Sequence, residues 1–155
     1  MEHQQCRSWR SGRIIVTTCS ALLLLGAHTR AEVLITASEA VQPPSSDFRM
    51  NVRGITRGPS VDQILPSPTT SVHSPFELKI RFTAHNSAKV DPSDVRVIYE
   101  KQMPIDLTER LRKYMSSEGI DMPDVEVPPG TYLLRIEVKD SLDRKSVGEV
   151  KLLVQ

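Results

Sequence analysis

The chain has 155 residues, with 20 basic and 19 acidic side chains, a formal net charge of +1 and only two cysteines. Charge this balanced and interspersed excludes the basic footprint of a nucleic-acid binder, and an aromatic content of 5% argues against a sugar-stacking surface. The length is enough for one domain with a sizeable apolar core.

The first segment, 1–31, reads as a secretory signal peptide. Arg7, Arg10 and Arg13 form a basic region, Ile14 to Ala27 an apolar one, and Thr29-Arg30-Ala31 offers small residues to a signal peptidase. The apolar run falls short of the roughly 20 residues a spanning helix needs. A lipoprotein site at Val16-Thr17-Thr18-Cys19 is disfavoured, because more apolar sequence follows the cysteine. Cleavage near Ala31 predicts a periplasmic or secreted protein with no transmembrane segment. It removes Cys6, Cys19 and Trp9, so the processed chain has no disulfide. Losing Arg7, Arg10, Arg13 and Arg30 against Glu2 also turns the net charge slightly negative.

Residues 32–58 are expected to be a flexible leader. The stretch from Ala37 to Pro75 is rich in Ser, Thr and Pro, a composition that buries little and lacks backbone donors. The folded domain is placed at 59–155. Val61 to Leu65, between Pro59 and Pro66, suits an edge strand. Phe76, Leu78, Ile80, Phe82 and Ala84 alternate with polar residues, the period of a half-buried strand. A turn follows through His85 to Pro92, and Val95, Val97 and Tyr99 mark the next strand.

Between Ile105 and Met115 the period changes. Leu107, Leu111, Tyr114 and Met115 share a helical face, Asp106 and Glu109 have capping-box spacing, and Gly119 could close the end. Val125 and Val127 predict a short strand before the turn Pro128-Pro129-Gly130. A long strand then points Tyr132, Leu134, Ile136 and Val138 inward. It ends at the turn Asp140-Ser141-Leu142-Asp143-Arg144, and Val147 to Val154 forms the last strand.

Two motifs carry a resemblance. The stretch from Phe82 to Val97, with its Val90-Asp91-Pro92-Ser93, and the pair Pro129-Gly130-Thr131-Tyr132 and Asp140–Arg144 are similar to the immunoglobulin-like (fibronectin-III-like) modules of exported bacterial proteins. The resemblance covers about Val61 to Val154 and implies an all-β, seven-strand-like sandwich whose motifs are structural and name no ligand. Many such modules have Gly where this chain has Asp143, and the helix at 105–115 departs from their pattern. The Pro-Gly-Thr-Tyr hairpin also resembles the periplasmic copper-resistance sandwiches. That resemblance implies copper held by an N-terminal histidine with further His and Asp ligands, whereas the expected processed start here is Glu32.

The chemistry-bearing residues are few. The processed chain has His73 and His85, which with Asp91 or Asp94 are the candidate metal ligands. Asp91, Asp94, Asp140 and Asp143 lie in predicted turns and are the candidates for calcium, though their spacing matches no calcium loop; as turn residues they cap their own backbone. The acidic group Asp121, Asp124 and Glu126 is expected on a solvated connector. No Gly-x-Ser-x-Gly elbow or triad spacing is present, so no enzyme and no cofactor is expected. Arg110, Arg112 and Lys113 form a basic cluster on the predicted helix, suited to an acidic partner or lipid head groups, or, diluted by Glu109 and Glu118, to solvent. Leu133 and Leu153, on nominally polar strand faces, form a docking patch unless the helix around Leu111 covers them. The expected function is a non-catalytic exported module that binds another envelope protein or serves a structural role, with a metal-binding sandwich as the alternative.

Overall fold

The computed structural model describes residues 31–45 and 57–155. Residues 1–30 of the expected signal segment and residues 46–56 of the expected leader lie outside them. Among the described residues, ten strands form two sheets of a β-sandwich. They are β1 (Glu32–Val33), β2 (Ser60–Leu65), β3 (Ser71–Val72), β4 (Phe76–Thr83), β5 (Val90–Tyr99), β6 (Ile105–Asp106), β7 (Met115–Ser116), β8 (Gly119–Glu126), β9 (Gly130–Asp140) and β10 (Lys145–Val154). Two short helices, α1 (Ala37–Ala40) and α2 (Thr108–Leu111), accompany them. One sheet runs β1-β8-β4-β2 with β7 also on β8; the other runs β3-β10-β9-β5-β6.

The alternation that predicted the long strands becomes the core. Leu78, Ile80, Val97, Leu134, Ile136, Val150 and Leu152 are all buried between the sheets. At one end Tyr99 and Tyr132 stack at 5.6 Å in a tilted pair. The Tyr132 hydroxyl donates to the Pro128 carbonyl at 2.7 Å and so closes the corner that the Pro-Pro-Gly turn begins. The seam between the sheets is closed by a side chain. The Gln63 amide donates to the Lys151 carbonyl at 2.9 Å and accepts from the Lys151 N–H at 3.0 Å, standing in for a peptide of a neighbouring strand.

The region 105–119 differs from its sequence pattern. Ile105 and Asp106 pair with β5, and the helix is one turn at Thr108–Leu111 followed by a 3₁₀ turn at Arg112–Tyr114. The predicted capping box does not form. Asp106 accepts from the Thr108 N–H at 2.8 Å, while the Thr108 hydroxyl accepts from Val97 N–H at 3.0 Å. Sheet pairing of 105–106 competes with helix nucleation, which is costly for so short a segment. Gly119 does not close a helix; it starts β8. A Cβ there would lie 1.9 Å from the Ile80 carbonyl oxygen, so the close approach of β8 to β4 requires glycine. The acidic connector is likewise part of β8, with Pro123 between the register positions where the β4–β8 ladder shifts. Asp121 there pairs with Lys79 at 2.7 Å.

The largest departure is the leader. Glu32 and Val33 pair in parallel with β8, and Leu34 and Ile35 are fully buried in the core. Thr36 caps α1 in a complete capping box with Glu39. Residues 32–45 are therefore a piece of the sandwich and not an appendage. The Ser/Thr/Pro composition that suggested otherwise begins only after the apolar anchor Val33-Leu34-Ile35, and Thr36-x-x-Glu39 was the local signal for the helix.

Candidate functional site

Two places concentrate polar chemistry. The first is the end of the sandwich where the β4–β5 loop meets the β9–β10 hairpin. Asn86 and Ser87 adopt φ of 55° and 60°, and Asp143 adopts 58°, the left-handed region that non-glycine residues seldom occupy. All the positive-φ non-glycine residues among those described gather here. Asp143 thus takes up the left-handed conformation that glycine adopts most readily, and the turn is kept. Asp140, buried at the hairpin root, accepts from the Leu142 N–H at 2.9 Å, the Arg144 N–H at 3.0 Å and Arg144 Nε at 2.8 Å. Burial opposes ionisation of Asp140, yet Arg144 and these backbone donors hold its pKa below the usual value.

The two loops are laced together. Ser141 N–H donates to the Lys89 carbonyl at 2.8 Å, Lys89 N–H to the Ser141 hydroxyl at 3.2 Å, and Arg144 Nη2 to the His85 carbonyl at 2.9 Å. Beside them the β5 strand shifts register between Val90 and Val95. There Asp91 accepts from the Ser93 N–H and hydroxyl at 2.8 and 2.6 Å, the turn-capping role expected of it. A hollow of about 620 Å³ opens on the outer sheet face next to this frame, lined by Ser93, Asp94, Arg96, Glu137, Lys139, Asp143, Lys145 and Val147. Lys139 Nζ stands 3.4 Å from Asp94 and 3.2 Å from Asp143, carboxylates that raise its pKa.

Of the calcium candidates only Asp94 and Asp143 come together, with Lys139 Nζ between them, while Asp140 is paired with Arg144 and Asp91 with Ser93. The candidate metal histidines do not converge. His73 bonds the Gln155 carbonyl at 3.1 Å before β4 begins, and His85 follows the end of β4. Eight strand residues separate them by roughly 26 Å, too far for one ion. Among the described residues, no three His, Cys, Asp or Glu side chains form a ligand set.

The second place is the corner of α2, where Arg110, Arg112 and Lys113, expected as a solvated basic face or a site for an acidic partner, are paired within the chain. Arg110 donates to Glu39 at 2.7 and 2.9 Å and to the Leu34 carbonyl at 2.7 Å. Lys113 pairs with Glu32, which also accepts from the Tyr114 hydroxyl at 2.8 Å, and Arg112 pairs with Glu109 at 2.7 Å. The acidic partner of Arg110 and Lys113 is thus the segment 32–45 of the chain itself, and that of Arg112 lies within α2. Arg110 holds the Glu39 carboxyl at a pKa of about 2, against the penalty of burial, with Thr36 adding its donors. Lys101 clamps the far end of the segment by donating to the Ala40 and Gln42 carbonyls at 3.1 and 2.7 Å.

Leu133 and Leu153 are half-buried and not an open patch. The α2 residue Leu111 lies inside the core, and it is Pro44 and Ser45 that line a hollow with Leu133.

No protein-family model matches the chain, and no curated protein sequence does. Among solved structures it is similar to the crystal structure of CopC from Methylosinus trichosporium OB3b, over 62% of this chain and 94% of that one, at 16% sequence identity and a TM-score of 0.39. A likeness at that level bears on neither ligand nor metal. Among the described residues, no helix is long and apolar enough to cross a membrane.

Proposed function

We propose that this chain is an exported, non-catalytic, immunoglobulin-like module that binds another macromolecule of the cell envelope at the loop end of its second sheet. The observation that supports it most is the laced frame of the β4–β5 loop and the β9–β10 hairpin around the 620 Å³ hollow. Left-handed backbone held at non-glycine residues is a conformation proteins keep where surrounding structure supports it, often at binding sites. The Tyr132 hydroxyl bonded back to Pro128 fits the tyrosine corner of immunoglobulin-like sandwiches.

The electrostatics favour binding over catalysis. Lys139 is held in ion pairs with Asp94 and Asp143, and Asp140 with Arg144, so these groups serve the loop frame. A photo-cross-linking side chain at Val147, exposed in the hollow, tests the reading in cells exporting the protein. A discrete adduct is expected from Val147 and not from Leu65 on the other sheet, and it should vanish with Lys145→Glu plus Arg96→Glu. Adducts equal at both positions, or turnover of a substrate abolished by one acidic substitution, would overturn it.

A further inference from the structure

The segment 32–45 is held to the body of the sandwich by non-local contacts. β1 and β2 occupy opposite edges of one sheet, three strand spacings or about 14 Å apart. The segment touches β8, α2, the 3₁₀ turn that follows α2 and the 100–102 loop. Its anchors are a parallel pairing with β8, two buried aliphatic side chains, and complementary charge at Glu32–Lys113 and Glu39–Arg110. The receiving groove is therefore a strand edge beside a basic corner, a setting that accepts an extended peptide by strand addition. Residues 46–56 join the segment to the body, and eleven residues can reach at most about 40 Å.

We propose that this groove is a self-association site that takes the 32–45 segment of a second copy of the chain, giving a reciprocally exchanged dimer. Each of these anchors is recreated in trans, because donor and groove are identical in each copy, so exchange sacrifices none of them. The tether sets the balance. A short linker holds its segment at an effective concentration of about 1 mM, so the closed monomer prevails in dilute solution and the dimer when the chain is concentrated or refolded from the open state.

Two chains with Cys6 and Cys19 changed to Ser test this directly, one carrying Val33→Cys and the other Glu126→Cys. These positions face each other across the β1–β8 pairing, so a disulfide between the two chains requires the segment of one on the groove of the other. Mixed, unfolded and refolded near 1 mM, they should give cross-linked heterodimer severalfold above a control pair of Val33→Cys with Asp62→Cys on the opposite edge. Yields equal to the control would overturn the proposal.

Charge reversal supplies the second measurement. Glu39→Arg and Arg110→Glu each set like charges against the closed form, whereas mixing them lets each segment meet a complementary groove. Light scattering should show monomers singly and a heterodimer on mixing. Monomers after mixing, with the double variant as heat-stable as the original chain, would refute exchange.

Discussion

Replacing Glu39 by Gln should loosen the 32–45 segment in a pH-dependent way. Gln keeps the shape and can still serve the capping box, so the change isolates the charge facing Arg110. The Glu39 pKa falls from 4.5 to about 2, and at about 1.4 kcal/mol per unit that corresponds to roughly 3 kcal/mol. Arg110 keeps 34% of its side chain in water, and screening brings the expectation nearer 2 kcal/mol. The sign follows from a depressed carboxyl: the stabilisation is complete above pH 4.5 and disappears as pH falls through about 2. Urea unfolding of both chains at pH 7, 4 and 2.5, with equal m-values, reads the difference. It should be largest at pH 7, still substantial at pH 4 and smaller at pH 2.5. A difference below about 0.5 kcal/mol at pH 7, the usual size of a neutral surface change, or one constant across the range, would refute the reasoning.

Leu34→Ala should cost about 2–5 kcal/mol, the range for emptying a fully buried leucine site; a midpoint shift typical of a surface change would mean the segment is not part of the core. Gly119→Ala places a methyl 1.9 Å from the Ile80 carbonyl, and circular dichroism melting should show a large loss of stability; Gly148→Ala places one 2.4 Å from the Cβ of Val61, a β-branched residue that cannot rotate away, and should also lower the melting temperature. Because Lys139 already sits between Asp94 and Asp143 and Arg144 pairs with Asp140, neither calcium nor a chelator should move the melting temperature; a calcium-dependent rise of several degrees would show that the ion displaces them.

The elements readable in advance were those whose burial repeats along one strand. Phe76–Thr83 and Gly130–Asp140 alternate because one face meets the opposite sheet and the other meets water, and the Asp140 turn follows from a side chain bonding its own backbone. These are local rules, so neighbouring residues suffice to state them. The fate of 105–115 was not local: the β5 edge captured Ile105 and Asp106 and shortened the helix. Nor could spacing alone show that the cations beside the turn aspartates come from Lys139 and Arg144, or that Arg110 and Lys113 are matched to Glu39 and Glu32, since 71 positions separate Arg110 from Glu39. Local order follows from periodicity and backbone chemistry; which charges meet, and whether a polar leader is anchored by two aliphatic residues, depends on contacts that exist only once the sheets have closed.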